Sequence, residues 1–300
     1  LSADLPSVVL PSVVDILRKT EAYLKEKGVP SPRFEAEQLI GHALEMSRMQ
    51  LYLQFDRPLT AAELDRVRPL IARRGRREPL GWILGSVGFY LHDFTVLPGV
   101  LVPRPDTEAL VEVALGFLPE GEALFVADVG AGTGCVGLSL ALARPAVKVF
   151  AVDLSPEALA NTRENVASHT LGARVAVLQG SLLDPIPPAR RIDLVVSNPP
   201  YIARPVLATL QPEVRDHEPR LALDGGVDGL DVYRALIPAA AARATLGVAV
   251  EIGHDQAAAV SALFRAAGLV DVAVKKDLAG HDRVVSGRKP APSTAPGAEG

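Results

Sequence analysis

The sequence predicts an α/β protein: a parallel sheet with helices on both faces, preceded by a small helical domain and a β-hairpin. Three observations predict it. From residue 123 onward, apolar runs of strand length alternate with runs of helix length, the pattern that builds parallel sheets. The first of those strands enters a glycine-rich turn, Gly130-Ala131-Gly132-Thr133-Gly134, that leads straight into a helical run. Residues 12–75 instead carry apolar side chains near a 3.6-residue period.

Taken in order, Ser12 is placed to cap a first helix with apolar positions Val13, Ile16, Leu17 and Leu24, and Gly28 ends it. Ser31-Pro32 starts a second helix, proline at its first position, with an apolar face of Phe34, Leu39, Ile40 and Leu44. Residues 51–55 form a short segment before Pro58. Thr60 caps a further helix, and Glu63 completes a capping box. This domain, 1–78, holds no catalytic cluster and reads as a partner-docking module or a lid. Gly81, Gly85, Gly88 and Gly99 then punctuate Trp82-Ile83-Leu84, Phe89-Tyr90 and Phe94-Thr95-Val96-Leu97, the mark of a β-hairpin linker over 79–102. A helix over 109–117 follows.

The main domain is assigned to 103–287. It reads as strand 123–129, helix 134–143, strand 147–153, helix 155–168 and strands 174–179 and 193–197. A long loop, helix 230–243, strand 246–251, helix 255–267 and strands 270–275 and 283–286 complete it. Ser155-Pro156-Glu157 joins a cap residue, a first-turn proline and an acid, a strong helix start. The tail, 288–300, is rich in Pro, Ala, Gly and Ser and is expected to be disordered.

Composition narrows the function. The 300 residues are 48% hydrophobic and 22% charged, ordinary for a globular protein that builds its core without disulfides. The single Cys135 cannot form an internal disulfide, and no Cys/His group has zinc spacing, which suits a reducing cytoplasm and no metal. Cys135 reads as a small packing residue. A net charge of −4 argues against extended nucleic-acid binding. The basic run Arg73-Arg74-Gly75-Arg76-Arg77 reads as a solvated helix end, its cations at the negative pole, ahead of an RNA or acidic-partner contact. No apolar stretch is long enough to span a bilayer. Residues 5–14 are apolar but broken by Pro6 and Pro11 and lack a basic start, so they do not read as a signal peptide.

The chemistry is carried by Asn198-Pro199-Pro200-Tyr201, after the buried strand Asp193-Leu194-Val195-Val196-Ser197. Two prolines end the strand and display an amide, backbone carbonyls and an aromatic ring at its C-terminal edge, where open α/β sheets bind ligands. That set suits a planar –NH₂ group. Asn198 Oδ1 and the Pro199 carbonyl can accept its two hydrogens, while Tyr201 packs on its face. Upstream, Asp128-Val129-Gly130-Ala131-Gly132-Thr133-Gly134 is a nucleotide-type loop, and Asp153, ending the next strand, can take both hydroxyls of a ribose. The bland readings are a tight turn and a proline-rich loop. Gly132-Thr133-Gly134-Cys135-Val136-Gly137 also fits a dinucleotide fingerprint, which admits NAD. The leading Asp128 and the amide-holding tetrad favour S-adenosylmethionine with an amino-nitrogen acceptor.

With these motifs in place, the chain resembles the bacterial peptide-chain release factor N(5)-glutamine methyltransferases over nearly its whole length. The further marks are Pro103-Arg104-Pro105-Asp106-Thr107-Glu108, Glu251-Ile252-Gly253-His254-Asp255-Gln256 and Lys276-Asp277-Leu278-Ala279-Gly280-His281-Asp282-Arg283. The resemblance implies a seven-stranded Rossmann-like methyltransferase sheet with the small N-terminal helical domain and the β-hairpin linker. It implies S-adenosylmethionine as cofactor, held by Gly130, Ala131, Gly132, Thr133, Gly134, Asp153, Ser181, Leu182 and Asn198. It implies release factors as partners, with the glutamine of their Gly-Gly-Gln motif held by Asn198, Pro199, Pro200 and Tyr201, and Asn198, Pro199 and Tyr201 as the catalytic set.

Two departures stand out. Cys135 occupies a position where the family commonly has Ser. Ser181 and Leu182 stand where members often carry an acidic residue and then an aromatic beside the adenine. The run from Arg104 to Glu108 is expected to close over the cofactor or fix the hairpin. Glu251 ends a strand and reads as a satisfied polar residue ahead of one that orients the site, and neither His254 nor His281 reads as catalytic. The alternatives are an adenine-specific nucleic-acid amino methyltransferase and a non-catalytic S-adenosylmethionine-binding protein.

Overall fold

A computed structural model of the chain describes residues 10–277 and 279–291. Residues 5–9 of the apolar N-terminal stretch and 292–300 of the tail lie outside them. Disorder expected from 288 is not seen at the start of that tail, where Arg288 ends a strand and Lys289 N–H donates to the Leu246 carbonyl. Two compact units form. One comprises the described residues up to Gly85 together with Pro212–His217; the other comprises Ser86–Gln211 and the described residues from Glu218 onward.

The first unit is helical: α1 (Val13–Glu26), α2 (Pro32–Leu44), α3 (Arg48–Leu53), α4 (Ala61–Gly75) and α5 (Leu80–Leu84). Capping boxes start three of these, with Ser12 and Asp15 at α1, Ser47 and Gln50 at α3 and Thr60 and Glu63 at α4. The core gathers Val13, Leu17, Leu24, Leu39, Ile40, Leu51 and Leu59. Phe34, expected on the apolar face of α2, is 48% exposed, because the buried face runs through Ala36, Leu39, Ile40, Ala43 and Leu44 instead. Residues 80–84, expected as part of the hairpin linker, form helix α5 and bury Trp82 and Ile83.

The basic run is not a solvated helix end. Arg74 is 2% exposed and donates to Glu35 and, at 2.9 Å, to Glu213; Arg77 also pairs with Glu213, and Arg73 with Glu78. A guanidinium so far from water requires carboxylate partners. Glu35 and Glu213 come from segments 39 and 139 residues away in sequence, which local charge patterning does not reveal.

The second unit opens with the hairpin β1 (Ser86–Phe89) and β2 (His92–Thr95). Helix α6 (Glu108–Leu115) leads to β3 (Phe125–Val129), α7 (Cys135–Ala143), β4 (Lys148–Asp153), α8 (Pro156–Ser168), β5 (Val175–Gln179) and β6 (Ile192–Ser197). The short helix α9 (Pro212–Arg215) falls among the residues of the helical unit. The chain then resumes with α10 (Asp231–Arg243), β7 (Ala244–Glu251), α11 (Ala257–Ala266), β8 (Val270–Lys276) and β9 (Asp282–Arg288).

Seven of these strands make one sheet in the order β5-β4-β3-β6-β7-β9-β8. The first five are parallel, while β9 is antiparallel to both neighbours. The expectation of a parallel sheet fails only at β9. The few residues between Lys276 and Asp282 are too short for a crossover helix, so the chain can only turn back. One core layer contains residues of α6 and α7, the other residues of α10 and α11.

The chain runs outward from β3 to β5 and then returns to place β6 on the other side of β3. The order therefore reverses between β3 and β6, and the C-terminal ends of those two strands are where such a sheet opens a crevice. The hairpin is fixed beside it by two buried asparagines of α8. Asn165 and Asn161 accept from the Thr95 and Leu97 N–H groups and donate back to the Thr95 carbonyl.

Candidate active site

The glycine loop leaves β3 at its C-terminal end. Gly130 and Ala131 N–H both donate to the Val152 carbonyl of β4, and Gly134 N–H donates to the Ala131 carbonyl. Gly132 has φ +60 with nothing among the described residues within 4 Å of where a Cβ would lie, so its backbone is both left-handed and open to approach. Gly130 is exposed, whereas Ala131, Thr133 and Gly134 are buried. Thr133 is tied inward: its carbonyl accepts from Asn165 at 2.9 Å, and its hydroxyl accepts from Cys135 N–H at 3.4 Å.

The leading Asp128 has a structural task. Its Oδ2 accepts the Gly137 N–H at 2.9 Å and so caps α7 from within the sheet. Burial pushes its carboxyl up to about 7, with the Gly137 N–H opposing and the charge of Asp153 adding to the shift. A side chain on Gly137 would come within 2.9 Å of Asp128 Oδ2 and of Val149, so the cap requires glycine there. Cys135 is buried, and burial pushes its thiol up to about 12, which leaves it an inert packing residue.

Asp153 is held by both oxygens. Oδ2 accepts from Gly132 N–H and Oδ1 from Ser155 N–H, each at 2.9 Å. A carboxylate has about four acceptor positions, so each oxygen keeps one for a ligand. Leu154, next in sequence, is 50% exposed, an apolar surface that sequence reasoning passed over. On the neighbouring strand Gly180 N–H donates to the Asp153 carbonyl, which brings Ser181 and Leu182 to the same edge. Ser181 is exposed; Leu182 has φ +49 and packs partly against the core.

Asn198 follows directly on β6, where Ser197 is paired with Val129 of β3. The Asn198 carbonyl is 3.9 Å from where a Cβ of Gly130 would lie, so the tetrad and the glycine loop share one crevice. The Asn198 side chain donates through Nδ2 to the hydroxyl of Thr107 at 3.1 Å. Among the described residues nothing donates to Asn198 Oδ1 or to the Pro199 carbonyl. Pro199 is buried and Pro200 half-buried. Beyond them the chain is pinned: Ile202 N–H donates to the Leu223 carbonyl, and Gln256 Nε2 donates to the Tyr201 carbonyl at 2.9 Å.

The Tyr201 hydroxyl points to Glu251 Oε1 at 3.4 Å, and its ring packs against the core cluster that holds Tyr233. Glu251, expected to be satisfied, is 1% exposed, and its Oε2 has no hydrogen-bond partner among the described residues. Burial pushes its carboxyl up to about 7, against the Thr107 hydroxyl, Arg283 and Tyr201, with Asp106 adding to the rise.

The Arg104–Glu108 run divides its tasks. Glu108 accepts the Tyr90 N–H and fixes the hairpin tip, Arg104 donates to the buried Glu218, and Thr107 reaches Asn198. His254 and His281 face each other edge to face at 6.1 Å and are exposed. Among the described residues no His/Cys/Asp/Glu group has the arrangement of a metal site.

Comparison with known proteins agrees with this geometry. Residues 15–85 match the PrmC N-terminal domain and residues 107–216 the methyltransferase small domain. The chain is 47% identical over 275 residues to the release factor glutamine methyltransferase of Geobacter sulfurreducens, covering 91% of this chain and 95% of that relative. It is 44% identical over 268 residues to that of Caulobacter vibrioides, covering 89% and 92%. Among solved structures, the hMettl16 catalytic domain superposes with a TM-score of 0.54 at 15% identity over 68% of this chain and 77% of that one, a likeness of fold alone.

Proposed function

The chain belongs to the release factor glutamine methyltransferases, and from that premise we propose that it methylates release factors with S-adenosylmethionine. The acceptor is the side-chain amide nitrogen of the glutamine in their Gly-Gly-Gln motif. The observation that carries this reading is the pair of acceptors, Asn198 Oδ1 and the Pro199 carbonyl, without protein donors at the edge of β6. We place the enzyme in the cytoplasm with its substrates. Among the described residues no helix is long and apolar enough to cross a membrane. The helical unit, with Met49 and Leu53 exposed on α3, is our candidate for docking the protein substrate.

The crevice fits S-adenosylmethionine on the chemistry of its groups. The backbone at Gly132 is open. Asp153 has acceptor positions to spare for ribose hydroxyls, and Leu154 with Leu182 offers apolar surface to the adenine. Bound there, the cofactor supplies a methyl group on a positively charged sulfur.

An amide nitrogen is a poor nucleophile because its lone pair is delocalised into the carbonyl. Asn198 Oδ1 and the Pro199 carbonyl would accept its two hydrogens and fix the direction of the nitrogen. Both acceptors stabilise positive charge as it develops there. Their positions are set before substrate arrives, since two prolines and the bonds of Ile202 and Tyr201 hold this backbone. Tyr201 contributes ring surface; burial raises its hydroxyl far above the ordinary phenol range, so it acts as a neutral group and not as a base.

The test is methyl transfer from labelled S-adenosylmethionine to a purified bacterial release factor, beside its Gly-Gly-Gln→Gly-Gly-Ala variant and a DNA control. Label on the unaltered factor alone is the expected result. Label on DNA, or on both forms of the factor, would overturn the reading.

A further inference from the structure

An asparagine amide has two nearly isosteric orientations, and only its hydrogen-bond partners choose between them. The proposed reaction needs Oδ1, not the NH₂ group, facing the substrate nitrogen. Asn198 Nδ2 donates to Thr107 Oγ1 at 3.1 Å, so in this orientation the hydroxyl acts as acceptor. Thr107 is 2% exposed, and the hydrogen bond its hydroxyl makes to Asn198 is one it accepts, which leaves its own hydrogen to be placed. Glu251 is brought to the same place by the sheet: it pairs with Val284, and the adjoining Arg283 meets Asp106, the residue before Thr107, at 3.2 Å. Its carboxyl is 1% exposed, with Oε2 unpartnered among the described residues and Oε1 facing the Tyr201 hydroxyl at 3.4 Å. A buried hydroxyl with an uncommitted hydrogen and a buried carboxylate with an uncommitted oxygen complete each other.

We infer that Thr107 and Glu251 are positioning residues: the carboxylate takes the Thr107 hydrogen, which leaves Thr107 only an acceptor and turns the Asn198 carbonyl toward the substrate. The inference rests on the function proposed above. It adds two residues that touch neither reactant and come from far segments of the chain. The ionised carboxylate can only accept, and therefore imposes one direction on the whole chain of bonds. A protonated Glu251 can donate to Thr107. The hydroxyl could then donate to Asn198 Oδ1, and the inverted amide would become accessible. Turnover should therefore rise with pH as Glu251 ionises. The charged groups that act on Glu251 are Arg283 and Asp106; Tyr201, Tyr233 and Cys135 are the other titratable neighbours.

The experiment has two arms. In the first, kcat and KM for a release factor are measured for wild type, Thr107→Val, Thr107→Ser and Glu251→Gln between pH 6 and 9. Thr107→Val should lower kcat ~10-fold with KM nearly unchanged, the worth of one mis-set hydrogen bond. Thr107→Ser should restore it, and Glu251→Gln should abolish the rise of kcat through neutral pH. In the second arm, the side-chain amide resonances of Asn198 are followed by NMR in the protein alone. They should move with pH in wild type and Thr107→Ser but not in Thr107→Val or Glu251→Gln. Full kcat in Thr107→Val, or Asn198 resonances indifferent to Thr107 and Glu251, would overturn the inference. If wild type fails to methylate any release factor, the proposed function falls, and the NMR arm still decides whether the relay exists.

Discussion

At Asn198 the functional reading depends on one side chain with two jobs: Nδ2 is committed to Thr107, and Oδ1 is left for a ligand. Asn198→Ala should cut turnover by about 10²–10³, as loss of one preorganised electrostatic partner does elsewhere. Affinity for S-adenosylmethionine, read by calorimetry, should change little, and unchanged turnover would remove the amide-holding role. Asp153→Ala should act in the opposite way. It strips the acceptor from Gly132 and Ser155 N–H and removes the carboxylate we assign to the ribose, so cofactor affinity should fall at least 10-fold, each good polar contact being worth about 1–3 kcal/mol. Retained affinity in that variant would assign Asp153 to the loop alone. The tetrad was legible in sequence because consecutive prolines leave a strand few options. Thr107 was not, since it meets Asn198 across 91 residues of chain. For Glu251 the sequence favours the lesser role for a related reason: a carboxylate closing a strand looks satisfied until its surroundings show an oxygen with no donor among the described residues.

Single elements owe their positions to a few buried polar residues. Helix α7 begins where Asp128 receives the Gly137 N–H, and the Asp that favours one loop type in sequence is here the helix cap. In the helical unit α4 is tied by Arg74 to Glu35 of α2 and to Glu213 of α9. Glu213 accepts from both Arg74 and Arg77, so Glu213→Ala leaves Arg74 with one carboxylate and Arg77 without its carboxylate partner. The loss should be about 3–5 kcal/mol, the usual consequence of breaking a buried pair from one side, seen as a lower urea midpoint of the Trp82 fluorescence. A midpoint within experimental error of wild type would show that the segment does not support the helical unit. Caps and periodicity made the helices legible, as Ser12, Thr60 and Ser155 show. Elements whose character comes from packing were less so. Trp82-Ile83-Leu84 looks extended, with Gly81 and Gly85 on either side, yet folds as part of a helix that buries Trp82.

Across the whole molecule, the two carboxyls raised by burial bear on pH in a way that the exposed ones do not. Asp128 and Glu251 are both pushed up to about 7, from ordinary values of 3.8 and 4.5. Between those limits the folded protein holds a proton that the unfolded chain has released, so stability must fall as pH rises and level off above about 7. Each group can account for on the order of 3 kcal/mol across that window. Glu213 and Asp277 shift the other way: although burial opposes it, their arginine partners and backbone N–H groups hold them low, so their contribution is lost only in acid, below the ordinary carboxylate range. The two effects occupy separate pH windows and can be read apart. Trp82 belongs to the helical unit, so amide hydrogen exchange along β7 is the more direct probe of the sheet. Its protection should decrease from pH 5 to 8 after correction for intrinsic exchange rates, and Glu251→Gln should remove about half of that decrease. The ionised Glu251 that the amide orientation requires is thus the form that costs the fold most. An enzyme at neutral pH would then trade stability of its sheet for a fixed acceptor at Asn198, and equal β7 protection at pH 5 and 8 would show that no such exchange takes place.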